Sequence, residues 1–197
     1  MKTARLAVFC SGNGSNFEAI LGAIKKRTLK AEVAVMVCDN PKAYAIHRAG
    51  LHGIPVVVLS PKLFPSRKAY ETLLVRVLRS QGVKFVALAG FMRLLTPYFI
   101  RAFRGRILNV HPSLLPAFKG AHAIRNAFEA RVPKTGVSVH VVTEKLDSGP
   151  ILAQKKVSVL KSDTLKKLER KIHLVEHRLY PAAIQKFIGG KNVKSVD

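Results

Sequence analysis

The sequence predicts an α/β fold with a doubly wound, mainly parallel sheet of about seven strands and a long C-terminal helix. Short apolar runs alternate four times with segments whose apolar residues recur at helical spacing, a pattern typical of strand–helix–strand crossovers. After Gly136 the pattern changes to two strand-like runs in succession. The last segment, 164–187, keeps helical periodicity throughout, with Leu168 and Ile172 on its apolar face.

The elements follow in order along a chain without internal repeats or linkers, which indicates one domain over residues 1–197. Strands are predicted at 5–10, 32–38, 54–59, 83–89, 106–111, 137–143 and 151–159. Helices are predicted from residue 15 to about 24, at 43–51, from Arg67 to about 81, and at 98–103, 121–131 and 164–187. The polar segment 189–197 is predicted to fray.

Composition excludes several classes of protein. Hydrophobic residues make up 48% of the 197 residues, which argues against disorder. No apolar run reaches the roughly 18 residues of a membrane span, and the N-terminus lacks a signal-peptide pattern. Cys10 and Cys38 lie in apolar runs and indicate buried free thiols in a reducing cytoplasm, although the sequence leaves a disulfide open.

The charge is unusual, with 34 Lys and Arg against 11 Asp and Glu, a formal net charge of +23. Such a balance attracts polyanions, whether nucleic acid, an anionic membrane or phosphorylated small molecules. The basic residues are nevertheless spread along the whole chain, without an arginine-rich arm or an aromatic RNA-binding motif. A generally basic solvated surface is therefore favoured over a specific nucleic-acid function.

A glycine-rich turn, Ser11–Asn16, joins the first strand to the first helix. Ser15 or Asn16 can cap this helix, and the exposed N–H groups and positive dipole end suit a phosphate. An ordinary tight turn is the alternative. Phe17 occupies the third glycine position of the dinucleotide fingerprint, which counts against NAD and leaves a monophosphate open.

Asn109 and His111 lie at the end of a predicted buried strand, where their side chains point the same way before Pro112 stops the pairing. Asp147 lies in the loop between the last two strands. If the three groups meet, the carboxylate raises the pKa of the imidazole and orients it. The imidazolium and the amide can then stabilise an oxyanion, and the histidine can move protons. The alternative is a structural histidine beside a turn asparagine.

Covalent catalysis and a metal centre are disfavoured. Ser113 lacks the G-x-S-x-G elbow, and Cys10 shows no sign of a lowered pKa. The seven histidines lack the spacing of metal ligands, although His173 and His177, one helical turn apart, could form a ligand pair instead of a solvent or interface pair.

Two further features stay open from the residues alone. Arg67, in the first turn of its helix, either contacts a ligand, pins a loop or is solvated. The apolar loop Met92–Leu95 lines either a pocket or the core under a turn.

Four motifs together carry a resemblance to a known family. The chain resembles the glycinamide ribonucleotide transformylases (phosphoribosylglycinamide formyltransferases) of purine synthesis, within the wider formyltransferase group that uses formyltetrahydrofolate. The motifs occur in order over nearly the whole chain, through Glu176-His177. They are Ser11–Asn16, Ala89–Arg93, Asn109–Pro116 and Leu146–Pro150.

The resemblance implies the formyltransferase fold and transfer of the formyl group of 10-formyltetrahydrofolate to the amine of phosphoribosylglycinamide. It implies that His111 supports the tetrahedral intermediate and shuttles protons, that Asn109 holds the oxyanion, and that Asp147, through water, keeps the histidine charged. It also divides the chain into a phosphate-binding half over about 1–100 and a folate and catalytic half over about 101–188.

The same resemblance implies the binding residues and the biological context. Gly14, Ser15 and Asn16 would hold the ribonucleotide phosphate, and Glu176 would contact the ribonucleotide. The folate would lie against Arg67, Met92, Arg93, Leu94, Leu95, Asn109, Thr143, Glu144, Lys145, Leu146 and Asp147. The expected enzyme is a cytoplasmic monomer or homodimer with formyltetrahydrofolate as co-substrate and with neither a metal ion, a membrane nor a nucleic acid as partner.

Two departures and two alternatives accompany the resemblance. The loop 117–123 fits the family pattern loosely, so the resemblance assigns no role to His122, and the charge of +23 exceeds what the reaction needs. A methionyl-tRNA formyltransferase would carry a further C-terminal domain, for which the sequence leaves no room after Phe187. A formyltetrahydrofolate hydrolase would carry an N-terminal regulatory domain.

Overall fold

The computed structural model describes residues 3–190 and has the predicted doubly wound α/β architecture. The strands are β1 (Ala4–Cys10), β2 (Ala31–Cys38), β3 (Val56–Val58), β4 (Phe85–Leu88), β5 (Ile107–His111), β6 (Lys134–Val141) and β7 (Ile151–Ser158). The helices are α1 (Ser15–Lys25), α2 (Tyr44–Leu51), α3 (Arg67–Ser80), α4 (Pro97–Ala102), α5 (Ala123–Glu129) and α6 (Leu165–Ile188). Most of the segment predicted to fray, 191–197, lies outside the described residues.

The seven strands form one sheet in the order β3-β2-β1-β4-β5-β6-β7. The pairs from β3 to β5 are parallel, whereas β6 is antiparallel to both β5 and β7. The strand order reverses between β1 and β4, so the loops after these two strands diverge and leave a crevice at the carboxyl edge of the sheet. Ligands of open α/β sheets bind at such a point.

Helices cover both faces of the sheet because the buried strands are apolar on both sides. In β1, Leu6 and Val8 pack into a core with α1 and α6, and Ala7 and Phe9 pack into a second core with α3 and α4. This two-sided burial explains why the parallel strands are continuous apolar runs without polar alternation. Within residues 3–190, no helix combines the length and apolarity that crossing a membrane requires.

The long helix α6 is fastened to the centre of the sheet. Thr164 caps it by accepting a hydrogen bond from the N–H of Lys167. The buried Tyr180 hydroxyl lies 2.9 Å from the carbonyl oxygen of Leu88 on β4 and 3.0 Å from that of Leu108 on β5. Burial raises the pKa of this hydroxyl well above its usual range, which keeps it a hydrogen-bond donor.

The prediction that Ser15 or Asn16 caps α1 is wrong. The cap residue is Gly14, which adopts a left-handed conformation with φ of 75°, and no side chain caps the helix. A Cβ at Gly14 would lie 2.7 Å from the Cβ of Ala45 at the start of α2. Glycine is therefore required twice here, once by the backbone angle and once by the close approach of α2.

Candidate active site

The pairing of β5 with β6 brings Asn109 beside a second histidine. Asn109 is the register partner of His140, and His111 is the partner of Ser138. The Asn109 amide nitrogen lies 3.3 Å from Nε2 of His140, whose Nδ1 lies 3.1 Å from the carbonyl oxygen of Val141. His111 and His140 are both buried, so the cluster presents imidazole groups in a site largely closed to bulk solvent.

Asp147 stands between the two histidines. Its Oδ2 lies 3.6 Å from Nδ1 of His111, and its Oδ1 lies 3.5 Å from Nε2 of His140. The 3.6 Å separation is too long for a direct hydrogen bond but allows a strong Coulomb interaction between buried groups. The N–H of Gly120 donates to Oδ2 at 2.8 Å and fixes the carboxylate from the opposite loop.

The environment keeps Asp147 ionised. Burial by itself would raise the pKa of the carboxyl group, but the interaction with His140, the hydrogen bond from Gly120 and the charges of His111 and His140 outweigh it and lower the pKa to about 2. The residue also has a positive φ of 44°, unusual for a side chain other than glycine. A buried carboxylate on a strained backbone is typical of a functional site.

His111 also contacts the loop that follows β5. Its Nε2 lies 2.8 Å from the carbonyl oxygen of Phe118. The doubly protonated ring can therefore donate Nε2–H to Phe118 while Nδ1–H faces Asp147. Both nitrogen atoms of His111 thus face protein groups in this structure.

A second network holds the beginning of that loop. The Ser138 hydroxyl, opposite His111 in the sheet, donates to the carbonyl oxygen of Ser113 at 2.6 Å and accepts from the N–H of Leu115 at 3.0 Å. From β7, the Gln154 amide donates to Ser138 at 2.8 Å and to the carbonyl oxygen of Leu115 at 2.9 Å. Side chains from β6 and β7 therefore fix the start of the loop that contacts His111.

His140 is the residue that sequence reasoning missed. It lies in an apolar strand between Val139 and Val141, where a histidine resembles a satisfied core residue. The available signal was its alternation with Ser138, which puts two polar groups on one face of a buried strand. Which residue of β5 lies opposite His140 depends on the β5–β6 register, and the sequence does not specify this register.

The Ser11–Asn16 turn has the features of an anion site. Within the described part of the chain, the backbone N–H groups of residues 12–16 donate to no protein acceptor. The turn is braced from α2 instead, because Ala45 donates to the Gly12 carbonyl oxygen at 3.1 Å and Arg48 donates to Asn13. The N–H groups at the start of α1 therefore remain free to bind a ligand.

The long helix reaches this turn through Glu176. The buried Asn16 amide donates to Oε2 of Glu176 at 3.0 Å, and Nδ1 of His173 lies 2.9 Å from the same oxygen. This hydrogen bond with Glu176 raises the pKa of His173. Predicted ribonucleotide residues from the first and last helices are thus in contact, although 160 positions separate them.

The loop 91–95 covers a cavity of about 300 Å³ on the α3 side. The Arg67 guanidinium donates to the carbonyl oxygen of Leu94, so this arginine pins the loop. Arg93 forms an ion pair with the buried Asp39. Met92 and Leu94 are 77% and 59% exposed, so the loop presents two large apolar side chains to the solvent.

The remaining predicted folate residues lie on the separate loop between β6 and β7. Thr143 to Leu146 are exposed and do not line the cavity under residues 91–95. The Thr143 hydroxyl donates to the carbonyl oxygen of Lys145 at 3.2 Å, and Glu144 forms an exposed ion pair with Arg101. His122, which has a positive φ of 64°, precedes α5 and is exposed.

The alternative nucleophiles are poorly disposed. The Ser113 hydroxyl is fully buried and donates to the carbonyl oxygen of Ala117 at 2.5 Å. Burial, and secondarily the neighbouring Cys38, raises the pKa of the Cys10 thiol to about 12. Both cysteines are free and buried. Among the described residues, no group of three or more His, Cys, Asp or Glu side chains is arranged to hold a metal ion, and this includes His173 and His177.

Comparison with known proteins identifies the family of the chain. A family model described as formyl transferase matches residues 4–184, so the chain belongs to the formyl transferase family. It is 44% identical over 188 residues to the phosphoribosylglycinamide formyltransferase of Bacillus subtilis (strain 168), a match that covers 95% of this chain and 96% of that protein.

Solved structures give the same result. The phosphoribosylglycinamide formyltransferase from Bacillus halodurans superposes with a TM-score of 0.92 at 47% identity, covering 98% of this chain and 100% of that one. Glycinamide ribonucleotide transformylase 1 from Geobacillus kaustophilus superposes with a TM-score of 0.93 at 46% identity, covering 95% and 100%. The family resemblance stated from the motifs is confirmed.

Proposed function

We propose that the protein transfers the formyl group of 10-formyltetrahydrofolate to the amine of phosphoribosylglycinamide, a step of purine biosynthesis. The observation that carries the proposal is the cluster of half-buried Asn109 with buried His111 and Asp147, on the same sheet edge as the free N–H groups of residues 12–16. The named relatives support this choice of substrates. The buried free thiols fit a reducing compartment such as the cytoplasm.

In the proposed reaction the substrate amine attacks the formyl carbon and forms a new C–N bond. The formyl oxygen becomes an oxyanion, which the Asn109 amide and the protonated His111 stabilise. Collapse of the intermediate breaks the bond to N10 of the folate. The proton lost by the attacking amine balances the proton gained by N10, and His111 is the group that carries it.

Asp147 acts on this chemistry through His111. The carboxylate 3.6 Å from Nδ1 faces that nitrogen and orients the ring. The other nitrogen, now at the Phe118 carbonyl oxygen, is the one left to serve the oxyanion. Substrate binding must therefore displace this carbonyl group from His111.

His140 is proposed to orient Asn109. When neutral His140 donates Nδ1–H to Val141, its Nε2 accepts from the Asn109 amide nitrogen at 3.3 Å. When His140 is protonated, Nε2–H donates to Asp147 or to the Asn109 amide oxygen, and the amide N–H₂ is released toward the oxyanion. The protonation state of His140 thus sets which end of the amide faces the substrate.

The same geometry supports the proposed residues of the ribonucleotide site. The N–H groups of Gly14, Ser15 and Asn16 would bind the phosphate at the positive end of α1. Glu176, held by Asn16 and His173, would accept hydrogen bonds from the ribonucleotide.

The folate side is proposed on two loops. Residues 92–95, pinned by Arg67, would form one wall. Thr143, Glu144, Lys145 and Leu146, which lead to Asp147, would form the other, with Asn109 between them. The exposed Met92 and Leu94 side chains would be covered by the flat apolar parts of the folate.

The test is a turnover assay with purified protein, 10-formyltetrahydrofolate and phosphoribosylglycinamide, followed by folate absorbance. We expect His111→Ala to lower kcat by at least about 100-fold, the range of general acid–base catalysis. His47→Ala, which removes an exposed histidine on α2, is the matched control and should keep wild-type turnover. Formyl transfer to methionyl-tRNA or to water but not to the ribonucleotide, or wild-type turnover in His111→Ala, would contradict the proposal.

A further inference from the structure

Ser11 joins three loops at the carboxyl edge of the sheet. It is the first residue after β1, and its polar groups bond to two other segments, the loop after β4 and the loop after β2. Its N–H donates to the carbonyl oxygen of Gly90 at 3.1 Å, and its hydroxyl accepts from the N–H of Met92 at 2.9 Å. Its carbonyl oxygen accepts from the Asn40 amide at 3.3 Å.

Ser11 lies at the point of the sheet where the strand order reverses. The strand order reverses between β1 and β4, so the loops that follow these strands form the two walls of one crevice. Ser11 begins the wall that offers free N–H groups to an anion, and Gly90 and Met92 begin the wall that exposes apolar side chains. One residue therefore belongs to both walls.

We infer that Ser11 is a positioning residue that couples ribonucleotide binding to folate binding. The inference rests on the proposed function, which assigns one ligand to each wall. A phosphate bound to residues 12–16 fixes the backbone of the turn, and with it the Ser11 hydroxyl. Because that hydroxyl is the acceptor for Met92, the loop 90–95 becomes ordered at the same time.

The coupling is expected to be favourable and reciprocal. The ligand that binds first bears the entropic cost of ordering both walls, and the second ligand binds to a loop already in place. By linkage, the folate must tighten ribonucleotide binding by the same factor as the ribonucleotide tightens folate binding. The contact of Arg67 with Leu94 holds only the loop 90–95. The ion pair of Arg93 with Asp39 reaches the turn only through the neighbouring Asn40, which donates to the carbonyl oxygen of Ser11, so this path also ends at Ser11.

The test measures the dissociation constant of phosphoribosylglycinamide by calorimetry, alone and with saturating tetrahydrofolate, a pair that cannot react because it lacks the formyl group. In the wild type we expect tetrahydrofolate to tighten binding by about fivefold or more, the usual lower range of coupling. In Ser11→Ala the ratio should fall toward one, because the hydroxyl contact with Met92 is lost, and Ser11→Thr, which retains the hydroxyl, should recover it. Ser80→Ala removes an exposed hydroxyl at the end of α3 and should leave the ratio unchanged.

The outcomes separate this inference from the proposed function. If the wild type binds neither probe, the proposed function fails and the coupling with it. If the wild type binds both without coupling, or if Ser11→Ala keeps the full ratio, the coupling alone is wrong. If Ser11→Ala does not fold, hydrogen exchange in the wild type decides. The ribonucleotide should slow exchange of the Met92 amide, and an unchanged rate would overturn the inference.

Discussion

Replacing Gly14 by alanine tests the architecture of the phosphate turn. The substitution introduces two separate costs. A residue with a side chain is less stable than glycine in the left-handed region by about 1–2 kcal/mol, and Gly14 has φ of 75°. The new Cβ would also lie 2.7 Å from Cβ and 3.0 Å from Cα of Ala45, and such overpacking costs about 1–3 kcal/mol.

The expected loss for Gly14→Ala is therefore about 2–5 kcal/mol in the free energy of unfolding, measured from urea midpoints at constant slope. Ala45 cannot yield by a rotamer change, because the overlap involves its backbone, so α2 itself must shift. In the shifted turn, the N–H groups of Ser15 and Asn16 no longer converge, and the KM for the ribonucleotide should rise.

Gly12 supplies the control within the same turn. Its backbone angle is outside the left-handed region, and a Cβ there would meet no atom within 4 Å. Gly12→Ala should change stability by less than about 1 kcal/mol, the range for alanine at a compatible glycine position. If the two variants unfold at the same urea concentration, the reasoning about the close approach of α2 is refuted.

Two further predictions concern the catalytic cluster. The pKa of Asp147 is lower in the folded state, from 3.8 to about 2, so ionised Asp147 stabilises the fold above pH 4 and this contribution is lost as the pH falls through 2. Asp147→Asn should thus lower the free energy of unfolding by about 2 kcal/mol at pH 6. In denaturation series, this difference between variant and wild type should vanish as the pH falls from 4 to 2. A difference independent of pH would contradict the prediction. His140→Leu should lower kcat by up to about 100-fold with both KM values nearly unchanged, the effect of misplacing a positioned group. An unaltered kcat would exclude its orienting role.

The sequence predicted those features of the site that depend on residues close together along the chain. That Asn109 and His111 lie on the same side at a strand end follows from local alternation, and the turn at residues 11–16 follows from its glycines. These are short-range properties. The lengths of β3 and α5 were overestimated because the flanking residues 54–55 and 130–131 are apolar or helix-compatible but leave the sheet and the helix.

The long-range contacts could not be predicted from the residues. The separation of His111 and Asp147 depends on the antiparallel β5–β6–β7 pairing and on the positive φ of Asp147. The position of His140 depends on the pairing register of β6. A slip of one residue in this register would move every side chain of the strand to the other face of the sheet. The cap at Gly14 depends on the packing of α2, which the sequence of the turn does not contain.

The contact between Asn16 and Glu176 has a consequence for synthesis of the protein. These residues are 160 positions apart, and the sheet strands between them must all be made first. During translation the N-terminal strands and helices can associate early, since domains begin to fold while the chain is growing. The ribonucleotide end of the site nevertheless stays incomplete until α6 has emerged from the ribosome and docked. A nascent chain that stops before Glu176 therefore has all seven strands, but its phosphate turn is exposed and Asn16 lacks its partner on α6.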